Sequence, residues 1–290
     1  MQTGILYTLL AFLIWGLFPL YFKALHTIAA YEIVLHRFVW SLLFLAIVLL
    51  IKQRWAWLRP TLSQPKLIGL FTLSATLLAA NWLTYIWAVN AGRVIDASLG
   101  YFINPLINVL LGVVLLHERL NKVQWLAIAI ACLGVAWLTW QAGHLPWIAL
   151  ILACTFGFYG LLRKTAQLGA LEGLSLETIV LFPFAIGGLL WLIWTDRSDF
   201  IVASIDTQLL VLLTGPITAI PLLLFAAGAR QIPLSLVGIL QYTGPTLQLL
   251  IGIFVFHEHF GLERLLGFGL IWLALTIYAA DGWRAFTQKT

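Results

Sequence analysis

Charge is what this sequence has least of. Only 9% of its residues are charged, while 62% are hydrophobic and the mean hydropathy is +1.00. No soluble fold has enough interior to hide so much apolar chain, so the bilayer must be the solvent for most of it. Cysteine is nearly absent too. Cys132 and Cys154 both sit inside apolar stretches, which excludes a disulfide framework and reads as small packing residues. There is no glycine-rich phosphate loop ending in Lys-Ser/Thr, so ATP is not expected to drive the protein directly. There is no His-Glu-x-x-His and no Gly-x-Ser-x-Gly, which argues against a membrane protease or esterase. No enzyme, no metal and no cofactor is expected. The longest polar connections, Lys52–Lys66 and Thr195–Asp206, leave no room for a soluble regulatory domain. The net charge of +5 is spread over loops and points to no nucleic-acid partner.

What the chain does have is apolar length. Between charged residues run Met1–Phe22, Phe38–Ile51, Leu67–Gly92, Ala97–His117, Val123–Leu162, Thr178–Thr195, Thr207–Ala229, Gln231–His257 and Leu265–Ala280. The fifth, 40 residues long, is broken by the polar turn Gln141–Pro146 and counts as two. A spanning helix needs about 20 apolar residues, so ten helices are expected in an all-α integral membrane fold. The first has no basic n-region and a poor cleavage site at Pro19–Lys23, so it reads as an uncleaved helix. Basic residues set orientation. With the N-terminus inside, eleven of the sixteen Lys and Arg fall on inside connections, and Lys23, Arg93, Arg197 and Arg264 fall outside. Both termini are therefore expected in the cytoplasm.

The chain also repeats itself. Residues 97–120 fall on 237–260 at a shift of 140 without a gap: Pro105 on Pro245, Gly112 on Gly252, His117-Glu118 on His257-Glu258. At a shift of 141, Trp15-Gly16 and Phe18 fall on Phe156-Gly157 and Tyr159. The expected units are 1–142 and 143–290, with five helices each. An odd number inverts the second copy, and inverted repeats characterise transporters that bind substrate near the midplane.

Polar groups inside a bilayer each need a reason. Glu32, His36 and Arg37 open the second helix: Arg37 suits an anionic or zwitterionic substrate, and Glu32 and His36 are candidates for proton coupling. They could equally pair with each other or with lipid phosphate. Asn81 and Tyr85 share a stripe of the third helix with Thr84 and Ala88, with Trp82 off it. Tyr101, Asn104 and Asn108 mark the fourth helix; Gln241, Tyr242 and Gln248 mark the ninth. Pro105 and Pro245 each free the carbonyl four residues earlier, so paired bends beside amides point to a central site. Trp15, Phe18 and Tyr21, with Phe156 and Tyr159, supply aromatic faces for a flat amphipathic solute. After His117-Glu118, Asn121 and Gln124 read as a helix cap.

The segments Phe12–Lys23, Glu32–Arg37, Asn81-Trp82 with Ile86–Asn90, Ala97–Pro105, Phe158–Lys164 and Gln241–Thr246 resemble the RarD proteins of the EamA family, in the drug/metabolite transporter superfamily. The resemblance covers nearly the whole chain. It implies a bacterial inner-membrane protein of ten helices in two EamA repeats, and it carries the label "chloramphenicol-sensitive protein". One departure is visible: family members often have glycine where this chain has His117 and His257. The reading is a secondary exporter of a small organic metabolite or drug-like solute, working by alternating access with proton exchange, as a monomer or a homodimer amid membrane lipids. The alternative is a lipid-handling or sensory protein with no solute flux, which would have a dry, closed interface between its halves.

Overall fold

A computed structural model describes every residue except 1, 54, 143–145, 258–260 and 288–290. Among the described residues all regular structure is helical. Hydrocarbon offers no partner to backbone N–H and C=O groups, so each crossing satisfies its own as a helix. The first crossing is α1 (Gln2–Gly16) continued by α2 (Phe18–Ala24). Then come α3 (Ala30–Lys52), the short α4 (Leu58–Leu62), α5 (Pro65–Asn90), α6 (Val94–Leu116) and α7 (Lys122–Ala142). The second half holds α8 (Trp147–Thr165), α9 (Ala170–Trp194), the short α10 (Asp199–Val202) and α11 (Ile205–Ala229). Its ninth crossing is α12 (Leu234–Gln241) with α13 (Thr243–Phe254), and its last is α14 (Leu262–Thr287). Among the described residues nine crossings are long and apolar enough to span, and α14 carries the shorter apolar stretch Leu265–Tyr278. The face where α1 begins is called the near face below, and the opposite one the far face.

The inverted repeat is written in the packing. Helix α1 lies on α11 and α13, as its counterpart α8 lies on α5 and α6. Helix α3 lies on α11 as α9 lies on α5, while α3 with α9, α6 with α12 and α13, and α7 with α14 are equivalents packed on each other. The main contacts thus run between the halves, and both halves face the centre.

Local rules close the ends. Asn121 Oδ1 accepts from the Gln124 N–H at 2.9 Å, and Gln124 Oε1 accepts from the Asn121 N–H at 3.0 Å, a reciprocal capping box for α7. His117 and His257 have φ of 55° and 53°. That left-handed region suits glycine, so both histidines stand in a backbone conformation that side chains rarely adopt. Glu118 reaches across the halves: its carboxylate accepts from Leu234 N at 2.9 Å and Ser235 N at 3.1 Å, capping α12. Glu258 lies outside the described residues. Two expectations change. Cys132 and Cys154 are exposed on the outside of the bundle and are not packing residues. The paired bends are unequal, because α6 runs unbroken through Pro105 while the ninth crossing divides at Tyr242.

A candidate substrate cavity between the halves

Near mid-height the halves line a narrow cavity of about 40 Å³. Helices α1 and α2 bring Phe12, Trp15 and Phe18 to it; α3 brings Arg37, α5 Asn81, Trp82 and Tyr85, and α6 Tyr101. The other half contributes Phe156, Gln241, Gly244, Pro245 and Gln248. Nine of the fourteen substrate-binding residues expected from sequence therefore meet there: Trp15, Phe18, Arg37, Asn81, Tyr85, Tyr101, Phe156, Gln241 and Gln248.

Arg37 dominates the cavity electrically. It is 1% exposed. Its Nε donates to the Thr218 hydroxyl at 2.8 Å, and its guanidinium sits 3.9 Å from the centre of the Trp82 ring and 5.1 Å from that of Phe22. Aromatic faces stabilise a cation through their quadrupole, yet they do not neutralise it. Among the described residues no carboxylate lies within ion-pair distance of it. Glu32, one turn away, is not its partner. Glu32 is fully buried and accepts from Ser198 Oγ at 2.6 Å and Asp199 N at 2.9 Å. Asp199 in turn accepts from Ala29 N at 2.8 Å. The two acids cap each other's helices at the far face, so Glu32 joins α3 to α10. His36 stacks on Trp40, whose Nε1 donates to His36 Nδ1 at 3.1 Å; it does not line the cavity.

Amides tie the halves around this charge. Asn81 donates to Leu152 O and Thr155 Oγ1, both at 3.0 Å, and accepts from Tyr101 at 3.2 Å. Asn108 donates to Gln241 at 2.8 Å and to Asn104 at 3.1 Å, and Asn104 donates to Ala153 O. Asn104 and Asn108 hold the helices together behind the wall and do not line it. Proline 19 has a role the sequence reading passed over. It has no N–H for the carbonyl of Trp15, four residues back, and Gln248 donates to that carbonyl at 3.0 Å.

The remaining candidates lie elsewhere. Tyr21 donates to the carbonyl of Leu210. Tyr159 is buried and stacks on Phe225, which with Trp15 and Phe156 forms an aromatic floor, ring centres 5.2–5.6 Å apart. Pro105 and Tyr242 line a separate, almost wholly apolar pocket between α6, α7, α12 and α14. Trp82, placed off the polar stripe, is the ring that carries Arg37. The missed signal was the cation itself, since a guanidinium in an apolar span needs an aromatic or an anion beside it.

A ten-crossing bundle of inverted repeats around a shared polar-and-aromatic cavity defines a multi-pass membrane transporter. The chain belongs to the EamA-like transporter family, which matches residues 2–140 and 145–280. It is 49% identical over 288 residues to an uncharacterised transporter of Pseudomonas aeruginosa, covering 99% of this chain and 97% of that one. It is 44% identical to protein RarD of Streptomyces exfoliatus (98% and 90% covered) and 40% identical to protein RarD of Escherichia coli (99% and 97% covered). A crystal structure with 17% identity shares the fold at a TM-score of 0.70 over 98% of this chain and 99% of the other.

Proposed function

We propose that the protein is a secondary transporter that exports a small organic solute across the bacterial inner membrane by alternating access. The observation that carries this reading is an uncompensated buried cation, Arg37, in a cavity built by both halves. Desolvating a charge without a partner is costly, so a ligand that brings the negative charge gains the interaction the protein leaves open. Aromatic faces on Trp15, Phe18, Trp82, Tyr85 and Phe156, and amides on Asn81, Gln241 and Gln248, suit a flat body with a few polar atoms. The solute expected is a small aromatic or amphipathic molecule bearing an anionic group. The polar lining of the cavity speaks against the dry interface of a protein without flux.

The test is an untargeted comparison of exported metabolites from cells lacking and cells overproducing the protein. At least one organic anion should accumulate outside in step with expression. If no compound changes, the transport reading fails. Orientation has its own check. Reporter fusions at the C-terminus and in the Thr195–Asp206 connection should report cytoplasm and exterior respectively, as the excess of Lys and Arg on one side requires. Fusions reporting the same side would undo the ten-crossing topology.

A further inference from the structure

A second buried guanidinium lies toward the near face. Arg163 of α8 is 1% exposed, and its Nη1 is 3.8 Å from Oε1 of Glu177, in α9, also buried. Glu177 Oε1 accepts from the Ser74 hydroxyl of α5 at 2.6 Å. Arg163 Nη2 donates to Ala170 O at 3.0 Å, and Phe71 lies under its guanidinium. The rest of the group is unfinished. Glu177 Oε2, Arg163 Nε and Nη1 and the Tyr159 hydroxyl are all buried without a hydrogen-bond partner. Buried charges are normally fully paired, and a half-satisfied ion pair is one of the more costly arrangements a fold can keep. Inside a membrane such a group marks a functional site, proton relays among them.

The repeat sharpens the point. Glu177 occupies the position equivalent to His36, at the shift of 141 that places Trp15 on Phe156. The bundle therefore holds two buried guanidinium centres between equivalent helices. Among the described residues Arg37 has no counter-ion, whereas Arg163 carries its own.

We infer that the Arg163–Glu177 pair is the proton-binding site of the transporter and the lock on its near face. The inference rests on the transport reading above and names the coupling device. A proton from near-face water adds to the free Oε2 of Glu177, and the pair goes from neutral to one positive charge. Arg163 is then a buried cation without a counter-ion. Water entering between α5, α8 and α9 relieves it, which opens the near face. Loss of the proton restores the pair and closes it.

The charged and titratable groups around Glu177 are few, and Glu172, in the first turn of the same helix, is the other carboxylate of α9 at this face. From α8 come Arg163 and Tyr159; Lys164 is engaged by the carbonyls of Ala229 and Ile232. From α5 comes Ser74, with Lys66 at the near end and Tyr85 in the cavity. Helix α3 carries Tyr31, Glu32, His36 and Arg37 toward the far face and exposed Lys52 at its near end, and α11 carries only Asp206, at its far end.

The test needs no substrate. Full-length protein with Cys132→Ser and Cys154→Ser is reconstituted in lipid, with a single cysteine introduced at buried Ala75, beside Ser74. Labelling by a small polar thiol reagent should speed up as pH falls, by up to about tenfold per pH unit, the limit for one proton. Thiol chemistry alone runs the other way, because the thiolate is the nucleophile. Glu177→Gln should label fast at all pH values, and Glu177→Asp should keep the response with a displaced midpoint. In infrared spectra taken at acid minus neutral pH, a protonated-carboxyl band should be present, lost in Glu177→Gln and kept in Glu32→Gln. A labelling rate that does not rise with acid, or a rise or band that survives Glu177→Gln, overturns the inference. If Glu177→Gln does not fold, an undisplaced midpoint and band in Glu177→Asp do so. A proton response here with no metabolite change in cells would sink the transport reading and leave the site standing.

Discussion

Arg37→Ala is expected to abolish most transport while leaving most of the protein in the membrane. The two halves of that expectation have separate causes. Hydrogen bonds to a charged group contribute about 1.5–3 kcal/mol, and about 1.4 kcal/mol is tenfold in affinity. Removing the cation should thus weaken apparent substrate affinity about ten- to a hundredfold. Folding is spared because no carboxylate is orphaned: Glu32 keeps its bonds to Ser198 and Asp199. What is lost is one bond to Thr218 and the stacking on Trp82. Arg37→Lys should recover little, because an ammonium lacks the planar fork that lets one nitrogen hold Thr218 while others face the ligand. The measurement is flux per transporter, with membrane abundance determined alongside. Flux falling only in proportion to abundance would make Arg37 a structural residue.

The asymmetry between Arg37 and Arg163 organises the molecule. Among the described residues one guanidinium has no carboxylate within ion-pair distance, and the other keeps a carboxylate with one oxygen unbonded. They lie toward opposite faces between equivalent helices but at unrelated positions of the repeat, because at the shift of 141 Arg37 falls on Thr178 and Arg163 on Phe22. Glu118 on α12 at the near face, and Glu32 with Asp199 at the far face, place cross-half carboxylate caps at both ends.

Much of this was legible in the sequence, and what was not has physical reasons. The ten crossings follow from apolar length, and the inversion from an ungapped register that joins proline, glycine and His-Glu. The capping box at Asn121 and Gln124 was readable because it is local. Helical spacing located the polar faces of α5 and α6, but a stripe cannot say whether an amide meets a cavity or another helix. So Asn81 and Asn108 looked alike, and only the first lines the cavity. Glu177 escaped for a different reason. Apolar runs cut at every charge treat a charged residue as an end, whereas Glu177 lies seven residues inside α9. Arg163 was assigned to a connection by the same cut, though it is inside α8. The partners of Glu32 come from α10, some 166 positions away in the chain, a distance no local pattern bridges.

The interface that must hold these centres in place makes the second large prediction. Helices α3 and α11 approach closely at Gly215, where an added Cβ would lie 2.6 Å from the carbonyl carbon of Trp40 and 2.9 Å from its Cβ. Small residues allow such approach in membranes, where packing and not hydrophobic burial holds helices together. The neighbouring contacts depend on it: Ser41 Oγ donates to Gly215 O at 3.4 Å, and Arg37 reaches Thr218 within the next turn. The obstacle is backbone, which cannot rotate away as a side chain can. Overpacking a core costs about 1–3 kcal/mol, and Gly215→Ala should fall in that range while Gly215→Leu should exceed it and strip folded protein from the membrane. At Gly187 of α9 and Gly69 of α5 an added Cβ meets nothing within 4 Å. There alanine should be neutral or stabilising, because glycine in a helix costs about 1 kcal/mol relative to alanine. Thermal unfolding of the detergent-solubilised protein, read by the loss of its monodisperse peak on heating, gives the sign at each position. Opposite signs at 215 and 187 are expected. Equal shifts would mean that α3 and α11 do not meet at Gly215, and the placement of Arg37 against Thr218 would fall with it.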